Sequence, residues 1–365
     1  MHTPSLSPNA SQHATKNAVD LSAASPDSPS VTSTALMTIS GLMSSEEKIE
    51  SGLPATDFTP IHDPASGFQP SLEDLARAAY RGHHYSDAHD FYLESLIQHK
   101  ISGNSVAIAR SLTGLAKTAY RVGQFQESGE YLAEAMPRYQ ELGDIAGVIR
   151  VLENLGQVAY RLEDYTLSQQ YYQEALTASR SIEDAESTAW ELAGLGKIAY
   201  RLAEYEEATI RCEESLAISR EREDQRAIAD ITLCLGRIAY RQADFTRARE
   251  RYQECLEIQR TAKDSKACAW TLNNLGKAAY RLEDYLGGLT ALHEGLELFR
   301  IMDDQDGAAC ILENMAHFAA KMGDIGQAKM WMAESRMLVR EIKNSQASAE
   351  GRTPPEARIT IQDGA

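Results

Sequence analysis

The triplet Ala79-Tyr80-Arg81 recurs every forty residues along the chain. Further copies begin at Ala119, Ala159, Ala199, Ala239 and Ala279, and an altered seventh copy, Ala319-Ala320-Lys321, closes the series. No insertion or deletion interrupts the spacing. Because a strict period of this size indicates stacked supersecondary units, we predict an array of seven copies that presents one surface seven times.

Each copy combines two predicted helices with a short turn between them. In the first helix, apolar or small residues recur at helical spacing, as at Leu115, Ala116 and Ala119. An aromatic residue opens the second helix in six copies, namely Tyr85, Phe125, Tyr165, Tyr205, Phe245 and Tyr285. Asn and Asp are favoured N-cap residues, and one of them precedes each next copy. This column holds Asn104, Asp144, Asp184, Asp224, Asp264, Asp304 and Asn344.

The pattern resembles the tetratricopeptide repeat in its longer, forty-residue form. The segments that carry the resemblance are Asn274-Leu275-Gly276-Lys277, Asp284-Tyr285 and Tyr172-Gln173-Glu174-Ala175-Leu176. This variant occurs in spindle-orientation adaptors and in arrays attached to bacterial signalling ATPases. The resemblance covers residues 71–343. It implies an all-α, right-handed α-solenoid of seven antiparallel helix pairs, a superhelix whose first helices line the concave side.

Two segments flank the predicted array. Residues 1–70 hold eight of the eleven prolines and thirteen serines, with few aromatic residues. Such a composition cannot bury enough apolar surface to offset the entropy of ordering, so we predict a disordered N-terminal tail. We expect residues 344–365 to form a disordered C-terminal tail.

The composition narrows the class of function. A formal net charge of −17 argues against a protein that coats nucleic acid. The five cysteines lack Cys-x-x-Cys spacing, which favours free thiols in a reducing compartment over a disulfide framework or a zinc site. No apolar run approaches the length of a membrane span, and no secretory signal is visible. We therefore expect a cytoplasmic protein.

The sequence contains no recognisable catalytic constellation. The nine histidines do not pair at metal-ligand spacing, and neither a Gly-rich phosphate loop nor a nucleophile motif occurs. A glutamate column is complete in all seven copies and comprises Glu94, Glu134, Glu174, Glu214, Glu254, Glu294 and Glu334. Carboxylates one repeat apart are too distant to act as a catalytic pair, so we interpret this column as structural. We predict a protein that is not an enzyme and that uses no cofactor or metal.

Basic residues share one face of the first helix. The Arg column contains Arg81, Arg121, Arg161, Arg201, Arg241, Arg281 and Lys321, and the Tyr column, from Tyr80 to Tyr280, precedes it by one residue. The Lys column, four residues before the Arg column, contains Arg77, Lys117, Gln157, Lys197, Arg237, Lys277 and His317. The Trp column, seven residues further back, contains Arg110, Arg150, Trp190, Asp230, Trp270 and Cys310. Helical spacing places the Arg and Lys columns on one face, which we predict to be concave.

From these columns we predict a ligand groove. Its residues are Arg81, Lys117, Tyr120, Arg121, Tyr160, Arg161, Trp190, Lys197, Tyr200, Arg201, Arg237, Arg241, Trp270, Lys277 and Arg281. An alternative is that each Arg pairs internally with a turn acid three residues later, such as Asp164 or Asp244. Like charges about 10 Å apart repel in water by only roughly 0.4 kcal/mol before screening, so the stripe of charge does not by itself require a ligand.

The favoured function is an interaction scaffold or adaptor that clamps an acidic, extended peptide. Arg offers bidentate bonds to carboxylates, and Trp190 and Trp270 are candidate anchors for apolar side chains. The peptide belongs to a partner protein or to the N-terminal tail, which carries two Lys against seven Asp and Glu. One alternative is single-stranded nucleic acid or another polyanion held along the Tyr and Arg columns, which the net charge disfavours. The other is a self-associating structural array, and the sequence does not specify the oligomeric state.

Overall fold

A computed structural model describes residues 70–349, and within that range the chain forms helices and short turns without a strand. The predicted tail of residues 1–70 therefore falls, except for Pro70, outside the described residues, as do residues 350–365. The helices are α1 (Leu72–Arg81), α2 (Tyr85–Ser102), α3 (Ser105–Arg121), α4 (Phe125–Glu141), α5 (Ile145–Arg161), α6 (Tyr165–Ser181), α7 (Ala185–Arg201), α8 (Tyr205–Glu221), α9 (Gln225–Arg241), α10 (Phe245–Thr261), α11 (Ser265–Arg281), α12 (Tyr285–Ile301), α13 (Gln305–Lys321) and α14 (Ile325–Ala349).

These helices confirm the predicted α-solenoid of seven antiparallel pairs. Each helix packs mainly against its two neighbours along the chain. Most successive first helices also touch one another, whereas no pair of successive second helices within residues 70–349 does so to a comparable extent. The array is therefore narrower on the side of its first helices, as expected for a concave face.

The capping prediction is confirmed at six of the seven copies. The side chains of Asn104 and Asp144 accept hydrogen bonds from backbone N–H groups at 3.1 and 2.8 Å, and the equivalent aspartates up to Asp304 do the same. At Asn344 the prediction is wrong, because α14 runs without interruption from Ile325 to Ala349. This last helix also extends six residues beyond 343, where we expected the array to end.

The core depends on small residues that let the two helices of a pair approach closely. Ala79 and Ala119, of the repeated triplet, are fully buried. At Gly236 a Cβ atom would lie only 2.5 Å from the Tyr252 ring of the paired second helix. Any larger side chain there would have to displace the ring, so this glycine fixes the separation of α9 and α10.

The glutamate column forms ion pairs between successive second helices. In four adjacent repeats an arginine bonds the glutamate thirty-four residues later, as Arg220 bonds Glu254 at 2.5 Å and Arg300 bonds Glu334 at 2.8 Å. Arg180 with Glu214 and Arg260 with Glu294 follow the same rule, and Lys100 with Glu134, at 3.1 Å, opens the series. These contacts agree with the structural interpretation of the column. Each pair is solvent-exposed and contributes at most about 1 kcal/mol.

Glu174 has no arginine thirty-four residues before it and therefore lacks the ion pair of this series. Gln140 occupies the position from which an arginine would reach Glu174. We predict that Gln140→Arg stabilises the array by about 0.3–1 kcal/mol in urea unfolding at low salt, because it adds a pair of the same geometry as Arg180 with Glu214. In the presence of Glu174→Gln the gain should vanish; a gain that persists would show that the added arginine acts elsewhere.

A buried carboxyl interrupts the core between the third and fourth copies. Glu191 is fully buried, whereas the same column holds Val151, Ile231 and Ile311 in other copies. Its Oε2 accepts a hydrogen bond of 2.5 Å from Ser179 Oγ, and its Oε1 has no hydrogen-bond partner. Burial raises the pKa of Glu191 to about 8, against the opposing effect of the Ser179 bond, so the folded protein holds a proton here at neutral pH.

This carboxyl should make the stability of the array depend on pH. The folded pKa lies above that of an unfolded glutamate, so the folded state binds the extra proton and stability falls as pH rises from about 4.5 to about 8. We predict that Glu191→Leu flattens this decline and raises the melting temperature at pH 8.5 by several degrees. Glu257→Gln, an exposed site on α10, is the control. Parallel pH profiles for the wild type and Glu191→Leu would contradict the prediction.

Candidate functional site

From the second to the sixth copy, the Arg column connects each copy to the copy before it, whereas Arg81 of the first copy donates to the Arg77 carbonyl of its own helix at 3.3 Å. Arg161 Nε donates to the Tyr120 hydroxyl at 2.9 Å, and Arg121 donates to Tyr80 at 3.1 Å. Arg241 makes the same bond to Tyr200 at 3.3 Å. Arg201 instead donates, at 3.0 Å, to Tyr165, the residue that opens the preceding second helix. The Arg column is therefore a brace between repeats.

Aromatic rings complete this brace. In six copies the Tyr column packs against the aromatic residue that opens the second helix, as Tyr120 does edge-on against Phe125 at 5.3 Å between centroids. The guanidinium of Arg161 lies over both rings, 5.7 and 6.0 Å from their centroids. Arg281 lies 4.4 Å from the centroid of Phe245. Cation–π contacts of this kind add to the hydrogen bonds between copies.

The turn acids have another role than the one expected of them. The alternative to a ligand groove assigns Asp164 and its equivalents as internal partners of the Arg column. The structure shows Asp164, Asp244, Asp284 and Asp324 capping the second helices, where each accepts a backbone N–H bond of 2.9–3.0 Å. The internal pairing of the arginines thus involves tyrosine hydroxyls.

The Tyr and Lys columns of the predicted groove differ in exposure. Tyr120, Tyr160 and Tyr200 are half-buried in the brace with the Arg column. In the Lys column, Lys117, Lys197 and Arg237 are exposed, and Lys277 is half-buried. The cations of the Lys column are therefore the more accessible part of the groove.

Two cations of the Lys and Trp columns, Lys117 and Arg150, come together between the second and third copies. The side chain of Arg150 is 49% exposed, and its nearest carboxylate oxygen, on Asp144, is 4.0 Å away. Partial burial of the ammonium group and the positive charge of Arg150 both lower the pKa of Lys117. Burial also raises the pKa of Glu153, the acidic neighbour of Lys117, to about 7, so at neutral pH it compensates these cations only in part. Like charges here are held together without a full counter-charge.

Cations near the start of the array differ from this junction. Arg77 pairs with Glu73 at 2.8 Å and lies 3.6 Å from Asp74. Arg110 lies 3.8 Å from Glu73 as well. Carboxylates of the first copy therefore compensate cations of the first and second copies, and the basic stripe is compensated unevenly along its length.

The two predicted tryptophan anchors differ in accessibility. Trp190 is 47% exposed on the concave side, and the Lys197 ammonium lies 6.0 Å from its ring centroid. Trp270 packs edge-on against Phe299 at 5.0 Å, and its Nε1 is buried without a hydrogen-bond partner. Trp190 thus offers an open apolar surface, whereas Trp270 belongs in large part to the core.

Sequence reasoning missed the two small residues that lie near Trp190 on the same helix. One turn further along α7 the chain places Ala193 and Gly194, and no other copy has two residues this small at these positions. The ring of Tyr172 lies directly beneath, because a Cβ on Gly194 would come within 2.7 Å of it. The sequence signal is that the fourth copy has smaller residues at these two positions, taken together, than the other copies have.

Within residues 70–349 no group of three His, Cys, Asp or Glu side chains is arranged to hold a metal ion. The helices of that range are also too short or too polar to cross a membrane.

A family model supports the assignment of the repeats. The tetratricopeptide repeat model matches residues 107–181, 147–221 and 227–300, which together exceed half of the chain. The chain belongs to the tetratricopeptide repeat family. No curated protein sequence is similar enough to this chain to count as a relative.

Solved structures share the fold at low sequence identity. A signal transduction ATPase with numerous domains and a tetratricopeptide repeat sensor, from Pyrococcus horikoshii, matches with a TM-score of 0.65 at 12% identity, over 77% of this chain and 43% of that one. The apo form of RapI matches with a TM-score of 0.59 at 14% identity, over 75% and 98% of the two chains. A Rap protein complexed with competence and sporulation factor matches with a TM-score of 0.55 at 16% identity, over 74% of each chain.

The brace between copies makes a measurable prediction. Tyr120→Phe keeps the ring but removes the acceptor for Arg161, so we expect a loss of about 0.5–1.5 kcal/mol in the free energy of unfolding. A double-mutant cycle with Arg161→Met should give a coupling of similar size. Tyr240→Phe is the control, because Arg281 contacts Phe245 and no hydrogen bond joins it to the Tyr240 hydroxyl in the described part of the chain. Equal losses at Tyr120 and Tyr240 would contradict the role of the hydroxyl.

Proposed function

We propose that this protein is a non-enzymatic interaction scaffold whose concave groove binds an acidic, extended segment of a partner protein. The observation that carries the proposal is the accumulation of cations on the concave columns of a chain whose net charge is −17. The Lys column is largely exposed, and Lys117 and Arg150 face each other without a full counter-charge. A ligand carboxylate would relieve that repulsion, which gives the groove a preference for anions.

The fold is consistent with this proposal. Solved structures that share it include the Rap protein complexed with competence and sporulation factor and a Rap conjugation gene regulator in complex with the Phr* peptide. At 15–16% identity these neighbours share only the fold with this chain, and the preference for an acidic ligand rests on the groove residues.

Single-stranded nucleic acid is the less favoured ligand. Binding it along the Tyr column requires open aromatic faces on which bases stack. The rings of Tyr120 and Tyr160 are instead half-buried and are covered by the guanidinium groups of Arg161 and Arg201, 5.7 and 5.9 Å from the ring centroids. The stacking surface that this alternative needs is therefore already occupied by the brace.

The test is a charge-matched comparison of two triple variants. Lys117→Gln, Lys197→Gln and Arg237→Gln together remove three exposed cations from the groove. Lys263→Gln, Lys329→Gln and Lys343→Gln remove the same charge from exposed sites outside the groove columns. Binding of fluorescein-labelled decaglutamate, measured by anisotropy, should fall about tenfold or more in the groove variant, which corresponds to about 1.4 kcal/mol, and stay near wild type in the control.

An oligothymidylate of matched charge separates the proposal from the nucleic-acid alternative. Decaglutamate should bind at least as tightly as the oligothymidylate at the same salt concentration. Equal loss in the two triple variants, or a strong preference for the oligothymidylate, would contradict a peptide groove.

A further inference from the structure

Two adjacent copies present different chemistry at the same position of the groove. The Trp column places Arg150 on α5 and Trp190 on α7, one repeat apart. Their side chains are exposed to nearly the same extent, 49% for Arg150 and 47% for the Trp190 residue. A cationic subsite and an apolar subsite therefore lie next to each other along the concave face.

The apolar subsite is the open ring of Trp190, which is 47% exposed. The ammonium of Lys197 lies 6.0 Å from the centroid of that ring. Beside the ring, Ala193 carries only a methyl group, whereas Glu153 and Glu313 occupy the same column in other copies. An exposed aromatic ring flanked by a small residue and a lysine stem suits a large apolar side chain of a ligand.

The cationic subsite is formed by Lys117 and Arg150. Their mutual repulsion is only partly offset by Glu153, which is itself half-buried and hydrogen-bonded to Ser187. Arg150 is able to hold a carboxylate through two parallel bonds, and Lys117 adds a second charge. An acidic side chain is the ligand group that suits this place.

The distance between the subsites restricts the conformation of the ligand. Equivalent positions on successive first helices lie about 10 Å apart. A polyproline-II segment rises about 3.1 Å per residue and repeats its side-chain direction every three residues, so residues i and i+3 span about 9.3 Å on one edge. In a β-strand, residues i and i+3 point to opposite faces. In an α-helix the same distance needs a separation of about seven residues.

From these observations we infer that the groove recognises a polyproline-II-like segment that carries an acidic side chain and a large apolar side chain three residues apart. The acidic side chain binds Lys117 and Arg150, and the apolar side chain packs on the open ring of Trp190. This inference rests on the proposed peptide-binding function and adds the spacing and the second determinant. Charge complementarity at Arg150 and the open apolar surface at Trp190 fix the two ends of the motif.

The experiment uses fluorescein-labelled synthetic peptides and the full chain. All peptides share a Ser/Pro/Thr background and contain one Glu and one Phe, separated by two, three, four or seven residues. Each spacing is made in both orders, with Glu before Phe and with Phe before Glu, because the two orders test the two directions in which a peptide can lie along the groove. The peptides with a separation of three, in one of the two orders, should bind about tenfold more tightly than every other spacing.

Variants test each subsite separately. Trp190→Ala and Ala193→Glu should each weaken the best peptide about tenfold. Glu is compatible with the repeat at this position, since Glu153 and Glu313 occupy the same column. Arg150→Gln should weaken it to a similar extent, and replacing the Glu of the peptide by Gln should make Arg150→Gln almost without effect. Lys263→Gln is the control outside the groove, and circular dichroism verifies that each variant is folded.

The outcomes separate this inference from the proposed function. Binding that depends on the Lys column but is the same for every spacing would overturn the inference and leave the acidic-peptide groove standing. A preference for a separation of seven would mean that the ligand is helical, and it would also overturn the inference. If neither these peptides nor decaglutamate bind in a groove-dependent manner, both proposals fail.

Discussion

The hydrogen bond from an arginine to the tyrosine hydroxyl of the preceding repeat is the contact on which the regularity of this array depends. A single helix pair cannot bury its apolar face alone, so each copy must be held in a defined orientation against the next. Arg161 with Tyr120 and Arg121 with Tyr80 make this bond at 2.9 and 3.1 Å. Ion pairs such as Arg220 with Glu254 repeat the same rule on the second helices. The two series connect neighbouring copies on both sides of the core.

This constraint divides the concave face into fixed and variable columns. The Arg and Tyr columns are engaged between copies, which explains why the same triplet occupies six of the seven positions. The Trp column makes no contact that repeats from copy to copy within residues 70–349: Arg110 lies near Glu73, and Arg150 lies over the ring of Tyr139. Its residue changes from Arg150 to Trp190 to Asp230 within three successive copies. In an array held together by its repeated residues, differences between copies are where specific recognition is able to develop.

The fourth copy combines several departures from the repeat pattern. It contains the open Trp190, the small residues Ala193 and Gly194, and the buried Glu191, all within the first helix of that copy. Glu191 weakens the core, because one carboxyl oxygen lacks a partner and the group must stay protonated when buried. A residue that lowers local stability and the exposed ring of the proposed apolar subsite therefore coincide in one helix of the array.

The sequence by itself determined the number of copies, the helix pairs and six of the seven predicted N-caps, because these depend on spacing and on residues near each other in the chain. It also located the basic face, since i and i+4 spacing fixes the side of a helix. Only the tertiary structure decided that the Arg column bonds tyrosines, that Trp270 packs on Phe299 while Trp190 stays open, and that Glu191 is buried. These outcomes depend on how closely helices of neighbouring copies approach, which is set by side chains twelve to forty-one residues apart and not by any local pattern.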